Sequence, residues 1–304
     1  MDILVKQLFG FIADCVRKFV KAHDMLGKKY RVAFVFSFPC KHSSDWSYAC
    51  LTKWTKEFHC RGFDNKDLRE LLQQSLPEDN MACILDVKIV VNDAVGALVA
   101  AAYDDPSCKL SLVVGNGFYS CYINEQRGNG TQMEFVKAEM GALSLGDGLA
   151  RFTTEYDKEL DMCSMDPGEQ ILEKMVSIMY LGEILRLVLV KMSEKGLLFI
   201  GNFESSKLKE RGSINADDVS LIEKIYIMSG LAALINRMNQ PYVTIAADGP
   251  SLNIGHPRFY GLMQSRTEEL VKPGTEFKLV CLPNASAIGA ARVAEALPRP
   301  PPTA

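Results

Sequence analysis

The sequence predicts an α/β protein, and two observations carry that prediction. Short β-branched runs alternate with longer amphipathic stretches along the 304 residues, the order that packs helices against a mostly parallel sheet. Three of the runs stop abruptly in polar or glycine residues: Phe36 into Ser37, Val91 into Asn92-Asp93, and Ala247 into Asp248-Gly249. In open α/β sheets ligands lie beyond the carboxyl ends of strands. These three ends are therefore the candidate functional positions.

Taken in order, Leu4, Leu8, Ile12 and Val16 recur every four residues with Val5, Phe9 and Phe19 beside them, and predict an amphipathic first helix packed on a core. Arg31–Phe36 is β-branched and aromatic and predicts a strand. Lys41–Glu57 is polar and holds both tryptophans. Asn65–Leu76 reads as a helix, Val87–Val91 as a buried strand, and Ala94–Tyr103 as a tightly packed Ala- and Val-rich helix. Lys109–Val114 and Ser120–Asn124 flank Gly115-Asn-Gly117, the pattern of a hairpin with a glycine turn. Asp166-Pro-Gly-Glu169 predicts a helix start, with Asp166 as N-cap and Glu169 completing a capping box, and a helix running to Lys195 with Gly196 just past its end. A further helix is expected over Asp217–Met238, strands over Tyr242–Ala247 and Phe277–Leu282, and a helix through Ala290–Leu297. Pro298–Ala304 is Pro-rich and expected to be disordered.

The bulk composition removes several function classes. Net charge is −3, from 34 basic and 37 acidic side chains, so nucleic acid has no electrostatic footprint to bind. The nine cysteines are scattered without a Cys-x-x-Cys pair, which argues for reduced thiols in a cytoplasmic protein and against a disulfide framework or a zinc site. His23, His42, His59 and His256 show no metal-ligand spacing, so no protein-bound metal is expected. Lys6, Asp14, Arg17 and Lys18 interrupt the first twenty residues, and Glu183 and Arg186 the apolar run Leu181–Val190, so neither a signal peptide nor a transmembrane helix of roughly 20 apolar residues is expected.

The chemistry-bearing residues each admit two readings. Asp93 can accept a proton from a ligand hydroxyl, or Asn92-Asp93 can simply cap the following helix. Gly115-Asn-Gly117 can bring backbone N–H groups to phosphate oxygens, or form an ordinary tight hairpin. Glu139 and Glu173 lie among small and apolar residues. If buried they need partners, and the hydroxyls of a sugar would supply them. The alternative is an exposed face or a salt bridge with a lysine such as Lys174.

Together these segments resemble a hexokinase. The resemblance runs in the family's order through Leu8-Phe-Gly-Phe-Ile-Ala-Asp-Cys15, Phe34-Val-Phe-Ser-Phe-Pro-Cys40, Trp54-Thr-Lys-Glu-Phe58, Val91-Asn-Asp-Ala-Val-Gly96 and Ala138-Glu-Met-Gly-Ala142. It is strongest from Asp166 to Arg186 and in Gly196-Leu-Leu-Phe199, and extends more weakly through Asp248-Gly249 to Gly289-Ala-Ala291. It implies an actin-like, hexokinase-type two-domain fold with a truncated small domain: a sugar-binding domain over 1–91, a large domain over 92–282, and a C-terminal helix and tail over 283–304. It implies ATP- and Mg2+-dependent phosphorylation of glucose or a related hexose at the 6-hydroxyl. Asp93 would be the base, and Ser37, Phe38, Thr55, Lys56, Asn92, Glu139 and Glu173 would hold the sugar. Gly115, Asn116, Gly117, Ser286 and Gly289 would face the nucleotide.

The sequence departs from the family chiefly in the nucleotide motifs. The Asp-x-Gly-Gly-Thr-type phosphate hairpin is not found in these residues. Gly-Thr-Gly-x-Asn becomes Gly115-Asn-Gly-Phe-Tyr119, Thr-Lys-Gly-Phe becomes Thr55-Lys-Glu-Phe58, and the C-terminal glycine loop becomes Ala285-Ser-Ala-Ile-Gly289. A second reading follows from these changes: a hexokinase-like protein that binds sugar or a partner without efficient phosphoryl transfer.

Overall fold

The computed structural model describes residues 3–25, 27–76, 84–128, 130–144, 146, 148–198, 207–214, 226–249 and 257–297. Along the chain run β1 (Ile3–Leu4), α1 (Val5–Ala22), β2 (Lys29–Val35), β3 (Cys40–His42), β4 (Ala49–Leu51), β5 (Cys60–Arg61), α2 (Leu68–Ser75), β6 (Ile84–Val91) and α3 (Asp93–Asp104). There follow β7 (Cys108–Val114), β8 (Phe118–Gly128), β9 (Gly130–Ala138), α4 (Glu155–Met162), α5 (Ile171–Val176), α6 (Ile178–Glu194), α7 (Tyr226–Met238), β10 (Tyr242–Asp248), α8 (Pro257–Leu270), β11 (Glu276–Cys281) and α9 (Ala285–Ala296). The predicted class is borne out: the fold is α/β, with parallel pairs among its strands.

The described chain packs as two compact units. One takes the residues up to Asp104 and those from Asn284 on; the other is Asp105–Pro283. The division lies after Asp104 rather than after Val91 because α3 stays with the strands before it and α9 returns to pack on it. Two glycines let the helices touch. A Cβ on Gly289 would lie 1.7 Å from the carbonyl oxygen of Gly96, and one on Gly96 would lie 2.3 Å from that of Ser286. No side chain fits at either position.

In the first unit β2 and β6 pair in parallel from Lys29↔Ile84 to Val35↔Val91. The seam of α1 is Val5, Phe9, Ala13 and Val20, with Leu8, Ile12 and Val16 only partly buried and Leu4 51% exposed. The expected stripe is thus displaced. A strict repeat of four overruns the 3.6-residue turn and drifts around the helix, whereas steps of four, four and seven hold one face. Trp54 anchors an aromatic cluster, with ring centroids 4.8 Å from both Phe38 and Phe63. Arg31 donates to the carbonyls of Glu295 and Leu297 at 2.8 and 2.7 Å, fastening the end of α9 to β2.

The second unit is built on one five-stranded sheet in the order β11-β10-β7-β8-β9. β11, β10 and β7 are parallel, and β8 and β9 antiparallel. Its core joins Leu110, Leu112, Val114 and Phe118 to Ile171, Leu172, Met175 and Val176 of α5.

The helix expected from Asp166 to Lys195 is corrected. Asp166 does not cap it. Residues 163–170 form turns, with Gly168 at φ +86 and Gln170 at φ +52, and α5 starts only at Ile171. It is six residues long and ends at Ser177, which is extended (φ −80, ψ 147) before α6 begins. The start of the helix expected from Asp217, and the tail Pro298–Ala304, lie outside the described residues. No helix among the described residues is long and apolar enough to cross a membrane, and the described cysteines are free thiols.

Candidate functional site

The first unit gathers its candidate residues at one end of the β2–β6 pair. Phe36 donates its N–H to the carbonyl of Val91 at 2.9 Å, which sets Ser37 beside Asn92. Asn92 and Asp93 are both buried. The side-chain oxygens of Asn92 and Asp93 each accept the N–H of Ala94 at 3.0 Å, so both serve the start of α3. Capping and ligand binding are compatible here: one oxygen of each group satisfies an otherwise unpaired helix donor. The positive end of α3 also attracts the charge of Asp93.

Lys56 reaches the same end by an unusual backbone. Lys56 and Glu57 are consecutive left-handed residues, at φ 63 and 53. The Lys56 ammonium donates to the carbonyl of Ser37 and sits 5.0 Å from the Phe38 ring centroid. Thr55 beside it is buried. Two left-handed side-chain-bearing residues in a row store strain of the kind found at functional sites. Glu57 stands where the family pattern has glycine, which the conformation favours. Ser286 lies in the first turn of α9, brought against Gly96 by the helix contact, and Gly289 provides that contact.

In the second unit the glycine hairpin is as expected. β7 and β8 pair to Val114↔Phe118, and Gly115 donates to the carbonyl of Gly117 at 3.0 Å. The carbonyl of Gly115 accepts the N–H of Ile178, which ties the turn to the start of α6. Glu173 is 3% exposed, and its Oε2 accepts the N–H of Phe118 at 3.3 Å. A Cβ on Gly141 would lie 2.8 Å from Cβ of Glu173, so this glycine lets the strand end reach α5. Glu139 follows β9 just before Met140–Ala142, and it is exposed rather than buried among its small neighbours.

Of three further buried polar residues in this region, only Gln170 escapes sequence reasoning. Gln170 is buried in a left-handed conformation, its Oε1 3.2 Å from where a Gly141 Cβ would sit. Lys174 is buried and pairs with Asp161 at 2.6 Å, the described ion pair of this lysine. Asp248 is buried at the end of β10, and Gly249 (φ +123) passes so close to β7 that a Cβ would meet the carbonyl of Val114 at 2.2 Å. Asp248-Gly249 did stand out as a strand end. Nothing in the residues around Gln170 announces a positive φ. Burial pushes the thiols of Cys121 and Cys108 up to about 12 and about 11, so neither strand cysteine offers a thiolate nucleophile.

The fold and the polar strand ends define an α/β protein of the actin-like ATPase class. Two family models, both described as hexokinase, match residues 2–103 and 109–227. Hexokinase-1 of Rattus norvegicus is 41% identical over 226 residues, 72% of this chain and 24% of that protein, and Hexokinase-2 of Homo sapiens is 38% identical over 223 residues, 71% and 24%. The solved hexokinase from Schistosoma mansoni complexed with glucose superposes with a TM-score of 0.82 at 29% identity, over 98% of this chain and 77% of that one. A second solved hexokinase gives 0.65 at 25% identity, over 96% and 74%. The chain belongs to the hexokinase family. It spans about a quarter of the length of the curated relatives it matches.

Proposed function

We propose that this chain phosphorylates glucose or a related hexose at its 6-hydroxyl, with ATP as phosphoryl donor. The observation that carries the reading is the convergence of Ser37, Lys56, Asn92 and Asp93 at one end of the β2–β6 pair. Asp93 takes the proton of the attacking hydroxyl. Ser37, Phe38, Thr55, Lys56 and Asn92 hold and orient the sugar, and Glu139 and Glu173 accept hydrogen bonds from further hydroxyls. A sugar lacking one of those hydroxyls leaves a polar group unpaired, which costs about 1–3 kcal/mol and selects for hexoses.

The donor set fits a magnesium nucleotide in part. The turn Gly115-Asn116-Gly117 is narrow and free of Cβ at two positions, as a phosphate-binding turn requires. Ser286 offers a hydroxyl in the first turn of α9, and Gly289 serves by letting that turn approach α3. Bound Mg2+ would neutralise charge on the phosphates. The free thiols suit a reducing compartment such as the cytoplasm.

The test is glucose 6-phosphate formation by the purified chain in a coupled assay. Removing a general base costs about 10²–10⁴-fold. Asp93→Ala is therefore expected to lose turnover on that scale while still binding glucose in calorimetry. Turnover that survives this substitution would overturn the assignment, and binding without turnover in the wild type would favour a sugar-binding role.

A further inference from the structure

We infer that the Lys174–Asp161 ion pair positions Glu173, and that Lys174 and Asp161 are positioning residues for hexose binding; this rests on the sugar-binding role proposed for Glu173. α5 has six residues, and a helix that short does not hold itself in water. Its place is set by what it touches. On one side Ile171, Leu172, Met175 and Val176 enter the core, and Glu173 meets the N–H of Phe118.

On the other side stands Lys174, whose side chain is 4% exposed. Its ammonium donates to Asp161 Oδ1 at 2.6 Å and to the carbonyl of Asp166 at 2.7 Å. The Asp161 carboxylate also accepts the N–H of Gly168 at 3.0–3.1 Å. One ion pair, of a buried lysine and a part-buried aspartate, thus joins the end of α4, the turn 163–170 and α5. That turn delivers Gln170 in its left-handed conformation, and the carbonyl of Gln170 accepts the N–H of Lys174 at 3.0 Å.

The arrangement needs both charges. A buried ion stripped of its partner is unstable where it stands, so loss of either one releases the turn. Glu173 is the neighbouring residue on the same short helix. A shift there carries its carboxylate with it and weakens the hydrogen bonds it makes to the sugar. Neither Lys174 nor Asp161 needs to touch the sugar.

Glucose affinity is measured by calorimetry, and kcat and KM by coupled assay, for the wild type, Lys174→Met, Lys174→Arg and Asp161→Asn, each checked for a cooperative melt. Lys174→Met and Asp161→Asn are expected to weaken glucose binding roughly ten- to a hundredfold, raising KM with little change in kcat, the signature of lost uniform binding. Lys174→Arg keeps the charge and recovers most of the affinity. Amide exchange at Gly168 accelerates in Lys174→Met and not in Lys174→Arg. Should Lys174→Met fail to fold, Asp161→Asn carries the test. A wild-type chain that takes up no glucose would sink both the functional reading and this one. Wild-type affinity in the folded Lys174→Met or Asp161→Asn would sink this inference alone.

Discussion

Asp93 and Glu173 are both buried carboxylates beside a strand end, but they are seated by different physics. Asp93 begins a twelve-residue helix whose position is fixed sterically, by backbone touching backbone at Gly96 and Gly289. Glu173 rides a six-residue helix that adds polar contacts to its core packing, the Lys174 pair on one side and the N–H of Phe118 on the other. Steric seats fail when volume is added, and polar seats fail when charge or a donor is removed. The two carboxylates are thus open to different perturbations.

The largest effect is expected from Gly289→Ala. Its methyl group would meet the Gly96 carbonyl at 1.7 Å, and overpacking a contact that close costs about 3 kcal/mol or more. Both tryptophans of the chain, Trp46 and Trp54, belong to the first unit. Tryptophan fluorescence should therefore show a lowered melting midpoint. An unchanged fluorescence midpoint would mean that the helix crossing is looser than described.

Glu173→Gln comes next. It keeps the shape and removes the charge, so glucose binding should weaken by about 1–3 kcal/mol in calorimetry, with the fluorescence midpoint of the first unit unmoved. Equal affinity in the variant would remove Glu173 from the sugar-binding set.

Acid should weaken both units by a smaller amount. In the second unit the Ser107 hydroxyl, with Thr244, holds the Asp105 carboxyl below its ordinary value. Burial raises Glu183, but Arg186 and the N–H of Gly212 outweigh it and leave it lowered. The first unit has Asp45, held down to about 2 by the Ser43 hydroxyl and by Ser47, and Asp86, raised by burial and lowered further by Lys88 and Lys29. A carboxyl held low in the folded chain stabilises it above the unfolded value, and that contribution is lost as pH falls through the folded one. Stability should thus decline below about pH 4. The circular dichroism and fluorescence midpoints should both fall, since each unit carries such carboxyls. Midpoints unmoved by acid would show that these carboxyls contribute nothing to stability.

The smallest effect should be a gain. Glu57→Gly relieves a left-handed residue at φ 53. Relief of about 1–2 kcal/mol less the glycine entropy of about 0.5–1 kcal/mol leaves about 0–1.5 kcal/mol. The fluorescence midpoint should rise by a few degrees, and a fall would show that the Glu57 side chain contributes more than its backbone costs.

These seats also explain what the sequence disclosed. Val87–Val91 followed by Asn92-Asp93 announces strand, turn and helix through local residue types alone, and the structure places them so. The hairpin at Gly115 was legible for the same reason, whereas β9 was passed over although Gly128-Asn-Gly130 is itself a turn signal. Asp166-Pro-Gly-Glu169 misled because its cap pattern is local and the deciding contacts are not. Asp161 and Lys174 take the polar groups that a helix start would have used. The left-handed residues Lys56 and Gln170 left no trace in residue type, since tertiary contacts impose their conformation. For Glu139 the exposed alternative holds, because its apolar neighbours lie along the chain and do not enclose it in space.

The contact between α3 and α9 has a consequence for how the chain is made. Arg292 of α9 donates to the carbonyl of Ala100 across 192 positions of sequence, and the whole second unit lies between them. A growing chain emerges from its N-terminus, and domains fold as their residues become available. The second unit can therefore close first, although its sequence comes later. The unit that carries Asp93 cannot complete the packing of α3 until α9 has been made.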